Sequence, residues 1–214
     1  MVADPRKRQK KLAQKKAKRK AKKEKTLHSM AGVLALSSNK FPVHECYVSG
    51  TIFEQGMGQV LISRKRPDGC IPTSIFLLDI YCLGVKNALF NIYRGYEYDN
   101  LKSTFVEQEN ATFIHHSCAR KLVEEAAAYA KDIGFSPHKD YLKAKQIFGD
   151  IDPTACPTSF TFGKDGKPFY ISGPNDTPAM SNKIIDTLTR RLGPNGFHFM
   201  AGFPEGDMDE FFRE

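Results

Sequence analysis

No Cys-x-x-Cys or His-x-x-x-His pair occurs in the chain. Zinc sites usually present ligands at such short spacing, so no metal site is expected. No long apolar run occurs either. The stretch at residues 30–36 falls well short of the roughly 20 residues that span a bilayer, and mostly charged residues precede it. A membrane span, a signal peptide and a membrane partner are therefore not expected. The five cysteines, Cys46, Cys70, Cys82, Cys118 and Cys156, are odd in number and scattered. That pattern predicts reduced thiols in a cytoplasmic protein, where the sequon Asn110-Ala111-Thr112 carries no meaning. Gly56-Met57-Gly58 lacks the following Lys-Ser/Thr of a phosphate loop and reads as a hairpin connection. There is no internal repeat, and no motif names a reaction or a cofactor.

The 214 residues, 41% hydrophobic and 26% charged, have globular composition, which excludes collagen-like, mucin-like and wholly disordered chains. The formal charge of +8 is distributed unevenly. Residues 1–25 hold 13 of the 32 Lys and Arg and 2 of the 24 acids, a net of +11, which leaves 19 bases against 22 acids and a net of −3 elsewhere. A strongly basic arm thus precedes a mildly acidic body. The arm cations Arg6, Lys7, Arg8, Lys10, Lys11, Lys15, Lys16, Lys18, Arg19, Lys20, Lys22 and Lys23 sit among good helix formers with almost no apolar stripe. Like charges three and four apart repel, so the expected arm is disordered alone and helical when an anion neutralises it. Residues 26–42 read as a linker or short helix, 43–202 as one domain, and 203–214 as a tail with five acids around Phe203, Met208, Phe211 and Phe212.

The body opens with β signals. Residues 44–53 alternate, 59–65 follow, and Arg66-Pro67-Asp68-Gly69 has the chemistry of a type I turn leading into a long apolar strand at 71–83. Residues 84–98 are ambiguous between a short helix and irregular chain. Helical period then appears: Ala119, Leu122, Val123, Ala126, Ala130 and Ile133 share a face, with Gly134 as the stop. Ser136-Pro137 predicts a second helix reaching Phe148, and Thr177-Pro178 a third, with Met180, Ile184, Ile185, Leu188 and Leu192 inward. Between them, residues 159–162 and 169–172 flank a turn with Asp165-Gly166, which predicts a second hairpin. The expected fold class is α+β: an antiparallel sheet of three to five strands packed on one face by about three helices.

Thirteen cations within 20 positions can follow a phosphate backbone by displacing counterions, without fixed structure or base contacts. Nucleic acid is the expected partner, RNA ahead of DNA, with ribosome association in view. Arg64, Lys65 and Arg66 on the first hairpin tip, and Lys164 and Lys167 on the second, extend that footprint if the tips share a side of the body. Tyr93, Tyr96 and Tyr98 near Arg94 offer stacking surfaces for unpaired bases or, more simply, packing. The competing reading is a metal-dependent hydrolase or nuclease. Asp79 interrupts an apolar strand, where a charge is costly unless paired or bound, and Asp150, Asp152 and Glu124 are further acids. Cys156 with His115, His116 or His138 as base is a third arrangement, set against a plain buried thiol.

Overall fold

Two runs rich in β-branched and aromatic residues form the centre of the sheet, and the turn between them fixes their register. The computed structural model describes residues 37–200. The basic arm, the linker up to residue 36 and the acidic tail of the sequence reading lie outside the described residues. Strands β1 (Val43–Val48), β2 (Met57–Arg64), β3 (Ile71–Asp79) and β4 (Gly84–Tyr93) join the short β5 (Thr112–Phe113) in one antiparallel sheet, ordered β4-β3-β2-β1-β5. In the β2–β3 turn the Gly69 N–H donates to the Arg66 carbonyl at 3.1 Å, and Gly69 itself takes φ 80°. This type I turn with a left-handed glycine pairs Ile62 with Ser74 and Met57 with Asp79.

β1 ends at Val48 rather than running to Phe53, because residues 52–55 wind into the short helix α1 (Ile52–Gln55). Gly56 closes that turn at φ 76°, and a Cβ there would sit 2.0 Å from the Tyr81 ring. The ambiguous stretch after Leu83 is the fourth strand. Ala88, Asn87 and Asn91 have poor strand propensity, but the ladder with β3 overrides it, pairing Phe90 with Ser74 and Ala88 with Phe76.

Helices cover both faces of the sheet, not one. Cys46, Val60, Ile62, Phe76, Leu78 and Val85 pack against Leu122, Val123 and Ala126 of α3 (His116–Asp132), and against Tyr141 and Ala144 of α4 (Tyr141–Ala144). On the other face Leu61 and Ile71 meet Tyr98 and Phe105 of α2 (Gly95–Gln108). α2 escapes sequence reading because only those two of its side chains are buried. The resulting helix–sheet–helix arrangement explains why β2 is apolar on both sides. α4 starts five residues later than Ser136-Pro137 predicts. The His138 N–H donates to the Val85 carbonyl at 2.9 Å, which keeps the chain against β4 before Tyr141, and a 3-10 turn at Lys145–Phe148 follows.

A smaller unit closes the far end. Thr177 caps α5 (Pro178–Leu192), its hydroxyl accepting from the Met180 N–H at 3.3 Å. Leu188 is buried against Tyr170, Cys82 and Ile133, while Met180 and Leu192 face outward, contrary to expectation. The predicted second hairpin forms only its turn: Asp165 and Gly166 take positive φ, and Lys164 and Lys167 bridge. β6 (Phe169–Ile171) then pairs in parallel with β7 (His198–Met200), not with residues 159–162. The expectation of reduced thiols fails at one pair. Cys118 and Cys156 form a disulfide, a partnership that a separation of 38 residues hides from sequence reading, whereas Cys46, Cys70 and Cys82 are free. No helix among the described residues is long and apolar enough to cross a membrane.

Candidate functional site

β2 has two chemically different ends. At its last residue, Arg64 is only 3% exposed, so it is not the solvent-facing tip cation expected of it. Its Nε donates to the Ile147 carbonyl and its Nη2 to the Phe148 carbonyl, both at 2.7 Å, and Nη1 donates to the Phe41 carbonyl. Nη2 also meets Asp150 Oδ1 at 3.2 Å. A buried guanidinium survives because its rigid fork matches carbonyls it can satisfy, which here ties the segment after α4 to the start of the sheet. Asp150 lies well below the usual carboxylate range because of its own backbone amide and Arg64.

The neighbouring cations remain available to solvent. Lys65 is exposed, and its backbone N–H donates to the Pro42 carbonyl at 3.0 Å. Arg66 pairs with Asp68 at 2.7 Å and stands over the Phe41 ring at 5.6 Å. The hairpin tip therefore lies against residues 41–42, beside exposed Lys40. Chain leading from the arm enters the described body at this same end. Lys164 and Lys167 do not extend the patch. Gly163 N–H donates to the Ile80 carbonyl and Lys164 stands over the Tyr81 ring, next to the strand end opposite Arg64. The seven-residue advance from Met57 to Arg64 separates the two ends by roughly 23 Å at about 3.3 Å per residue.

Asp79 occupies that opposite end, paired in register with Met57. It is buried, and its Oδ1 accepts from the Tyr81 N–H at 3.1 Å and the Cys82 N–H at 2.8 Å, so the carboxylate builds the β3–β4 turn. Burial outweighs those bonds and raises its pKa to about 6. Asp150 sits at the Arg64 end, Asp152 accepts from the Thr154 N–H at 2.8 Å, and Glu124 pairs with Arg120 at 3.0 Å. The acids on which a metal-dependent hydrolase would rely are thus held apart, each by a partner of its own. Among the described residues no three His, Cys, Asp or Glu side chains come together as a metal site. Cys156 has no thiol to offer as a nucleophile, being bridged to Cys118. The tyrosines divide: Tyr98 is buried in the α2 layer, its hydroxyl 2.8 Å from both Ser63 Oγ and Glu45 Oε2, while Tyr96 is exposed on the first turn of α2.

A groove of about 830 Å³ opens beside Arg64, lined among others by Lys40, His44, Phe113, His115, His116 and Ser117. It exists because β5 pairs only with Tyr47 and Val48 of β1, leaving the earlier part of β1 without a neighbour on that side. The first turn of α3 forms another wall. Sequence reading considered His115 and His116 only as bases for Cys156 and missed the groove; a pair of histidines immediately before an apolar helical period is the signal that was present.

Fold and site together define an α+β body whose basic hairpin tip and open groove share the end at which the arm enters. No family model, no characterised protein and no solved structure matches the chain.

Proposed function

We propose that this protein binds nucleic acid, RNA before DNA, mainly through phosphates, with the arm supplying most of the affinity and the arm-proximal end of the body a second contact. The charge division carries the reading: a net of +11 in residues 1–25 against −3 elsewhere is too uneven for a general solubility effect. Exposed Lys40 and Lys65, with Arg66, support it by lying where the arm joins the body. Ribosomal RNA in the cytoplasm is the partner class that suits a phosphate-tracking arm on a small body.

Binding of the full chain to one structured RNA, measured across a salt series, tests this. If about eight arm cations engage phosphates, log K falls with log salt at a slope of about −7. Changing the thirteen arm Lys and Arg to Gln removes most of the affinity and most of that slope. Lys65→Gln with Arg66→Gln reduces the slope by about 1 to 2. Lys164→Gln with Lys167→Gln leaves it unchanged. Equal affinity and slope for the arm variant and the wild type would overturn the proposal.

A further inference from the structure

The start of α3 combines three features that point to one ligand chemistry. It is the N-terminus of a 17-residue helix, where aligned peptide dipoles leave about half a positive charge and the first amides lack helical acceptors. No acid stands in its first turn to offset that charge. The N-cap is His115, whose Nδ1 accepts from the Ser117 N–H at 3.4 Å, leaving the His116 and Cys118 amides without a capping side chain.

Ser117 supplies an independent observation. It is 2% exposed and lines the groove, yet its hydroxyl makes no hydrogen bond with any described residue. A hydroxyl withdrawn from bulk water without a protein partner is costly, and an oxygen-rich ligand on the groove side removes the cost. The acids on the same walls do not oppose an anion at full charge. Glu45 accepts from Tyr98 and pairs with Lys102 at 3.2 Å, Asp150 pairs with Arg64, and Asp152 accepts from the N–H and hydroxyl of Thr154.

We propose that the first turn of α3, with the Ser117 hydroxyl, is a binding site for a phosphate group presented by a nucleic-acid strand. Helix-start amides and a hydroxyl are the donors that tetrahedral oxyanions accept. The stacked His115 and His116 rings, 4.0 Å apart, and Lys40 stand around the same opening. Phe113, 69% exposed on the groove wall, presents a ring face to the attached base. The groove volume suits a nucleotide-sized group, within the roughly 300 to 1,000 Å³ of small-molecule sites. The identity of the phosphate carrier rests on the proposed function; the phosphate chemistry rests on the groove alone.

Residue-resolved amide NMR of the full chain, titrated with inorganic phosphate, tests the chemistry. His116, Ser117 and Cys118 shift together at millimolar phosphate, separately from any effect on arm residues. Ser117→Asp places a carboxylate at the helix start, where it suits the dipole and repels phosphate, and weakens binding about tenfold or more. Lys40→Glu, an exposed change that leaves the core intact, weakens it about threefold. Absence of shifts at residues 116–118, or shifts unaffected by both variants, overturns the site. Two RNAs differing only in a 5′-phosphate distinguish the source: preference for the phosphorylated strand assigns a terminal phosphate, and equal groove shifts assign an internal one. RNA binding by the arm with a silent groove refutes this site and spares the proposed function. Phosphate binding in the groove by a chain that does not bind RNA does the reverse.

Discussion

Arg64 and Asp79 are both 3% exposed charges on adjacent strands, at opposite ends of one ladder, and they meet the cost of burial differently. Arg64 reaches outward to carbonyls of three residues far away in sequence and so fastens separate segments. Asp79 reaches only to amides two and three residues ahead and so shapes a single turn. A buried charge in a strand therefore need not signal catalysis. What it does follows from the groups it satisfies: long-range carbonyls make Arg64 a tertiary clamp, and near amides make Asp79 a local cap. The difference also divides the molecule's surface. The Arg64 end carries the groove, the exposed hairpin lysine and the entry of the arm, whereas the Asp79 end is closed by Tyr81, Gly163 and Phe169.

Removing the clamp is expected to have the largest effect. Arg64→Ala leaves several buried carbonyls without donors and destabilises the fold by about 3 to 5 kcal/mol in urea unfolding. Arg64→Lys recovers only part of this, because an ammonium cannot reproduce the planar fork. A loss below about 1 kcal/mol for Arg64→Ala would break the contrast between clamp and cap. The Cys118–Cys156 bridge joins the same segment to α3. Closing a loop of this length restricts the unfolded chain, so reduction by a dithiol is expected to cost about 2 to 4 kcal/mol. The reduced protein should keep its fold, because Arg120 also holds the Gly149 and Ile151 carbonyls and Lys121 the Thr158 carbonyl. Unfolding curves with and without reductant, and with Cys118→Ala, check both statements.

What was legible in the sequence follows the same division between local and distant interactions. The β2–β3 turn, the Thr177 cap and the apolar face of α3 depend on residues close in sequence, so their chemistry could be read directly. β4 and α2 could not, because the strand takes its conformation from the ladder with β3 and the helix buries only Tyr98 and Phe105. The candidate site divides likewise. Lys65 and Arg66 were visible as tip cations, but the burial of Arg64 depends on carbonyls more than 80 residues away and was not. The groove arises where a strand is missing beside β1, and sequence periodicity records strands that exist.

The smallest expected effect concerns Asp79 and depends on pH. Its carboxyl is raised from an ordinary value near 3.8 to about 6 by burial, against the opposing pull of the Cys82 N–H and Lys86. Between those values the folded chain holds a proton that the unfolded chain has released, so stability falls as pH rises from about 4 to 6 and levels off above. A shift of this size corresponds to about 2 to 3 kcal/mol across the window. Asp79→Asn keeps an oxygen for the Tyr81 and Cys82 amides and has no proton to lose, so its stability should lack this slope and equal or exceed the wild type at pH 7. Asp79→Ala leaves both amides without their acceptor and should cost about 1 to 3 kcal/mol at pH 4, where the neutral wild-type carboxyl still accepts. Unfolding free energies of the three proteins at pH 4, 5, 6 and 7 separate the effects. A slope that persists in Asp79→Asn would assign the pH dependence to another group and leave Asp79 as a cap without a titration of its own.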